Sequence, residues 1–259
     1  MTSPRVDGGI LDDLLRPKIP VEMDVKLGRA TVEEIMRDPR IRVLAPQQYP
    51  EAYFHIHRVL DRIIASDAIR YRDSFAYDEV RIVHDDKTLN AFATAGGYIF
   101  VYTGLIRYLD AEDHLAGVLG HEIAHAELRH VSKQLEESMS TSRKLLLFQL
   151  LTGAEWANDD VVQIARQLRK LKYSRKDEAE ADRYSVRYLS GSAYACNGLA
   201  GFFAKIVREG KEGWMPEWLG SHPEPDERVG AIEKTAAEFG CDTEPAGAEP
   251  YDEFKASLP

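Results

Sequence analysis

The stretch GVLGHEIAHAELRH, residues 117–130, constrains this chain more than any other. Leu115, Val118, Leu119, Ile123 and Leu128 recur at helical spacing and give the segment a core-facing stripe. Four residues of helix turn through about 400°, so His121 and His125 point the same way, one turn apart. A buried imidazole without a partner is costly. Any fold for this chain therefore has to bring something to that pair.

Two imidazoles on one helix face can meet one ion. Zinc takes imidazole nitrogen at about 2.0 Å, and a catalytic zinc keeps three protein ligands and one open position. Glu122 projects beside that position, where a carboxylate can take a proton from zinc-activated water attacking a peptide carbonyl and hand it to the leaving amine. This is the logic of the H-E-x-x-H pattern. The third ligand has to come from downstream. The metzincin pattern requires a glycine and a histidine where this chain has Leu128 and Val131, which excludes it. His130, on a continuous helical phase, points away from the His121–His125 face. The stretch YSRKDEAEADRYSVRYL, 173–189, places Glu178 and Asp182 on one helix face. Glu178 could bind the metal while Asp182 accepts the other ring N–H of a ligand histidine. With Asp177 and Glu180 nearby, the same residues could instead form a solvated acidic face.

A chain of 259 residues, 44% hydrophobic, can bury one large core or a main domain with a small appendage. Its 33 Lys and Arg against 43 Asp and Glu leave a net charge of -10 with no basic block, which disfavours nucleic acid and electrostatic membrane binding. The most apolar run, LLLFQLL at 145–151, is far short of the roughly 20 residues of a membrane-spanning helix. Scattered charges such as Arg5, Asp7, Asp12 and Asp13 leave no apolar core for an export signal, and the sequence reads as a soluble protein.

Residues 1–27 read as an extended arm, 28–240 as the structured domain and 241–259 as a loose tail. An amphipathic helix over about 50–68 buries Tyr53, Phe54, Ile56, Val59, Leu60, Ile63 and Ile64. The runs VRIV (80–83), NAFAT (90–94) and YIFVY (98–102) form a small sheet containing a hairpin, and the chain is helical from Gly104 to about 239. Cys196 and Cys241 are either reduced core residues or a bridge clamping two late helices, the latter implying an oxidising compartment. In GSHPEPDERV, 220–229, Pro223 and Pro225 stiffen the loop that carries His222.

Taken together, HEIAHAELRH, YSRKDEAEAD, SHPEPDERV and NAFATAGGYIFVYTGLI make the region from about 80 to 235 resemble the HtpX-like and CAAX-prenyl-protease-like zinc metallopeptidases. These are gluzincins, whose third ligand is a glutamate. The resemblance implies an α+β fold, a mainly helical zincin-type metallopeptidase domain over 28–240, with a small β-sheet above an active-site helix spanning 112–137. It implies one catalytic Zn2+ held by His121, His125 and Glu178, with Glu122 as general base and Asp182 behind a ligand histidine. It brings His222 to the site as an oxyanion donor or a removable fourth ligand, the latter favoured, with Arg228 orienting the loop by pairing with a carboxylate. Asn90, Ala91 and Phe92 would lie along an extended polypeptide substrate. The implied function is metalloendopeptidase action on extended or misfolded polypeptides. The alternative is a non-catalytic chaperone or scaffold that keeps zinc to hold its fold. The resemblance is to the soluble, often periplasmic, quality-control branch, which implies the periplasm if an export signal has been removed and the cytoplasm otherwise.

Overall fold

The computed structural model describes residues 19–138, 172–209, 216–222, 225–245 and 249–259. Helix α1 (Val21–Met36) leads to α2 (Pro50–Ile64), which starts on a proline, where the missing N–H costs nothing. Helix α2 buries Ala52, Tyr53, Ile56, Val59, Leu60 and Ile63. Phe54, expected in the core, lies a third of a turn past Tyr53 and is 61% exposed.

Three strands follow, β1 (Val80–Val83), β2 (Ala91–Ala93) and β3 (Ile99–Tyr102), in the order β1-β3-β2. Strand β1 runs parallel to β3, while β2 pairs antiparallel with it in the register Phe92↔Phe100. The β2–β3 turn runs through Gly96 and Gly97 at φ 71° and 85°, a region that residues with a Cβ rarely enter. The sequence reading of a hairpin here agrees with the structure. Among the described residues, strand β2 is an edge. Asn90 O accepts from Tyr102 N and Thr94 N donates to Tyr98 O, so the alternating antiparallel pattern turns the main-chain groups of Ala91 and Ala93 away from β3, to the free side.

The remaining helices are α3 (Thr103–Tyr108), α4 (Glu112–Glu127), α5 (His130–Ser138), α6 (Arg175–Leu189), α7 (Gly198–Glu209), α8 (Glu217–Ser221), α9 (Pro225–Phe239) and α10 (Glu249–Ala256). Helix α4 is the centre of the molecule, packed between β2 and the helices α6 and α7 and buried along nearly its whole length. Glycines permit this closeness: a Cβ on Gly117 would lie 2.1 Å from Leu199 N.

The active-site helix expected over 112–137 is in fact two helices. It breaks after Glu127, and Arg129 adopts φ 56° before α5 starts at His130. The Arg129 side chain is anchored by an ion pair with Asp24 and a hydrogen bond to Ile19 O, which hold the backbone in this uncommon conformation. The boundary expected at Gly28 also needs correcting. Gly28 lies inside α1, where a Cβ would come within 1.9 Å of Ala95 O, so the glycine serves a close approach to the turn behind β2. The tail expected to be loose carries α10, whose Tyr251 and Phe254 are buried, with Tyr251 Oη donating to Ile106 O at 2.7 Å. Cys196, before α7, and Cys241, after α9, form a disulfide with Cα atoms 6.2 Å apart. Residues 1–18 of the expected arm and the run at 145–151 lie outside the described residues. Among those described, no helix is long and apolar enough to cross a membrane.

Candidate metal centre

Three segments far apart in sequence meet at one buried point. Helix α4 supplies His121, Glu122 and His125. Helix α6 supplies Glu178 and Asp182, its start fixed by a capping box in which the Ser174 hydroxyl accepts from Asp177 N and the Asp177 carboxylate accepts from Ser174 N. His222 follows α8, and Arg228 lies on α9.

His121, His125, Glu178 and His222 are all buried, and one ligand atom from each falls within 4.8 Å of the others. His121 Nε2 lies 2.9 Å from His125 Nε2 and 3.2 Å from His222 Nδ1. Glu178 Oε1 is 2.9 Å from His222 Nδ1 and 3.5 Å from His125 Nε2, and Glu178 Oε2 is 3.5 Å from His121 Nε2. Two bonds of about 2.0 Å at a tetrahedral angle separate ligand atoms by about 3.3 Å, which these spacings bracket. Arg228 Nη1 stands 2.8 Å from Glu178 Oε2, close enough to pair electrostatically but out of line for a hydrogen bond, so that buried oxygen is left without one. A donor set of imidazoles and one carboxylate, crowded together with an orphaned oxygen, fits a divalent metal such as zinc.

Asp182 and Arg228 brace this group. Asp182 Oδ1 lies 2.9 Å from His121 Nδ1, and Arg228 holds the same carboxylate with both Nε (2.8 Å) and Nη2 (2.5 Å). Burial works against the His121 imidazolium, but Asp182 and Glu178 outweigh it and push its pKa up to about 9. Burial, reinforced by neighbouring His121, holds His125 well below the ordinary histidine range. Burial would raise the Glu178 carboxyl, yet His121, His125 and His222 overcome it and keep the group ionised.

Glu122 does not join the ligand atoms. Its Oε1 accepts from Trp218 Nε1 at 2.7 Å, and its Oε2 accepts from Ala93 N at 3.4 Å, on the free side of β2. Trp218 also stacks on His222, with ring centroids 4.2 Å apart. Beside these residues opens a cleft of about 330 Å³, with Glu122 and His222 in its wall and apolar sides from Ile35, Ile41, Phe92 and Tyr102. Asn90 and Phe92 line it as well, the Asn90 amide reaching Glu217 Oε1 at 3.4 Å, whereas Ala91 is buried behind the strand.

Three residues at the site escape the sequence reading, Ala93, Trp218 and Tyr173, whose ring stacks on His125 at 3.7 Å, and a fourth, His130, lies against His125 where it was expected to point away. Trp218 left one signal, its position four residues before His222. The others left none, because they depend on strand register and on the break at Arg129.

A model of Peptidase family M48 matches residues 50–236, from α2 to α9. That span is well over half of the chain and contains every ligand atom of the centre. The chain belongs to peptidase family M48. This M48 chain is similar to the beta-barrel assembly-enhancing protease of Yersinia pestis, 28% identical over 199 residues that make up 73% of this chain and 40% of that one. It is similar to the mitochondrial metalloendopeptidase OMA1 of Schizosaccharomyces pombe, 28% identical over 221 residues, 83% of this chain and 62% of the relative. It is also similar to the metalloprotease LoiP of Escherichia coli, 30% identical over 149 residues, 57% of this chain and 58% of the relative. The chain thus spans less than two thirds of each of these relatives.

Proposed function

We propose that this M48 chain is a zinc-dependent endopeptidase acting on extended polypeptide segments. The observation that carries the reading is the meeting of His121, His125 and Glu178 at one point, with Glu122 held apart from them between Trp218 and the free edge of β2. His121, His125 and Glu178 would hold the zinc ion, which when bound would polarise the substrate carbonyl and lower the pKa of water towards neutrality. Glu122 accepts the proton of the attacking water and passes it to the leaving amine. Trp218 keeps that carboxylate aimed at the cleft.

Ala93, whose N–H already holds Glu122, turns its C=O to the free side of β2 and offers it to a substrate strand lying in the cleft. Alternate residues of such a strand then face Glu122 on one side and the apolar wall of Ile35, Ile41 and Phe92 on the other, which favours unfolded segments carrying apolar side chains. Asn90 and Phe92 frame the same edge. His222, whose Nδ1 sits among the ligand atoms, acts as a removable fourth ligand that restrains the resting enzyme, and Arg228 fixes Asp182 and through it His121. The disulfide and the similarity to a beta-barrel assembly-enhancing protease support an oxidising compartment such as the periplasm.

The test is metal analysis paired with cleavage of an unstructured substrate such as casein. One zinc per chain and chelator-sensitive cleavage are expected. Glu122→Gln should keep the zinc and lose about 10²–10⁴ in kcat, while Glu178→Ala should lose the metal. Stoichiometric zinc with no turnover of any unstructured substrate would favour the scaffold reading instead.

A further inference from the structure

We infer that His130 is a positioning residue for His125: its Nδ1 accepts a hydrogen bond from the Nδ1–H of that ring and so fixes Nε2 as the nitrogen left for the metal. The inference rests on the metal reading of the centre and adds to it the support of its second histidine. His125 turns Nε2 to the ligand atoms, 2.9 Å from His121 Nε2 and 3.5 Å from Glu178 Oε1. Its other nitrogen, Nδ1, lies 2.8 Å from His130 Nδ1. Two ring nitrogens at that distance share one proton. When His125 binds metal through Nε2, that proton sits on Nδ1, so His125 donates and His130 accepts. The proton of His130 then resides on Nε2, which faces Glu180 Oε2 at 3.4 Å and Asp177 Oδ1 at 3.7 Å. The direction of the whole chain, from His125 through His130 to carboxylates on α6, follows from a single metal bond.

The two ligand histidines of α4 are thereby backed by the same helix. His121 reaches Asp182 directly, at 2.9 Å, whereas His125 reaches the first turn of α6 through an intervening imidazole. The backbone is built for this contact. Five residues of continuous helix would carry His130 about 140° away from His125. The left-handed step at Arg129 returns it, and that step is tied down by Asp24, which takes both the Arg129 side chain and the Ser132 hydroxyl. Tyr173 covers the face of the His125 ring, so His130 is left to govern its rotation. His130 itself is fully buried, and a shape-filling role alone would not call for a polar ring at that point.

The experiment measures zinc affinity of the full chain by competition with a chromophoric chelator, for the parent protein, His130→Asn and His130→Leu, with the melting temperature of each metal-free form. Asn places an amide oxygen near the position of Nδ1 and can accept from His125, while Leu fills the space and accepts nothing. His130→Leu should bind zinc about 10–100-fold more weakly, the loss typical of removing a partner behind a ligand. His130→Asn should regain most of that loss. Asn and Leu variants of equal affinity would overturn the inference, whatever the melting temperatures show about packing. A parent protein that binds no zinc would overturn the metal reading and this one with it, so the two failures are distinguishable.

Discussion

Glu122 is held at both oxygens, by an indole N–H and by a strand N–H, and neither donor belongs to the motif that announces it. Trp218→Phe keeps an aromatic ring against His222 but removes the donor. A hydrogen bond to a charged group contributes about 1.5–3 kcal/mol, so kcat should fall by roughly 10-fold or more, with KM and zinc content nearly unchanged. Steady-state kinetics with parallel metal analysis reads this, and a pure KM effect would remove Trp218 from the base's support. His121 gives a second expectation. In the metal-free protein its pKa, near 6.5 when unfolded, rises to about 9 because Asp182 and Glu178 outweigh burial. The stability from that proton is complete below about pH 6.5 and is lost as pH climbs towards about 9. His125, held low by burial, acts oppositely and costs stability only below about pH 6.5. The melting temperature of the metal-free protein should therefore decline from about pH 6.5 to about pH 9, and zinc loading, which needs neutral His121, should flatten the decline. Equal slopes with and without zinc would contradict this. Helical spacing put His121 with His125 and Glu178 with Asp182 on shared faces, but only the family resemblance joined the two faces, which the structure brings together. His130 was misread because one residue with positive φ resets that spacing, and no local pattern marks Arg129 as such a residue.

At the scale of elements, the hairpin and the long helices followed from apolar period and glycines, but the register of β2 did not. Only the pairing Phe92↔Phe100 reveals that Ala93, not Phe92, turns its N–H to Glu122. The segment from α8 into α9 is likewise readable as a stiff loop and unreadable as to where it goes. Its answer lies in Trp218, whose buried indole stacks on His222 and meets the rings of Phe202 and Phe203 on α7 at steep angles. If the loop holds His222 in the fourth position, His222→Ala should raise turnover of an unstructured substrate at fixed zinc occupancy and speed inhibition by chelators. A loss of about 10²–10³ in kcat would mean an oxyanion donor instead. Assays on the metal-saturated variant distinguish the two by sign.

Over the whole molecule, the Cys196–Cys241 bridge ties the start of α7 to the end of α9, across a separation of 45 residues that contains His222 and Arg228. A bridge of this span contributes about 2–4 kcal/mol. Reduction, or a Cys241→Ser change, should lower the melting temperature by roughly 5–15 °C and increase chelator sensitivity. Thermal denaturation with and without reductant checks it, and two alkylatable thiols in the native protein would remove the bridge. The outer limits of the domain were the least legible part of the sequence: Gly28 and the tail read as boundaries from composition, while their roles come from contacts with Ala95 and Ile106 in distant elements. That distance also has a consequence in time. His121 and Arg228 are separated by 107 residues. At a synthesis rate of about 5–20 residues per second, the histidine pair leaves the ribosome roughly 5–20 s before the arginine that braces it. A growing chain thus carries an unfinished centre until the segment through Arg228 has emerged.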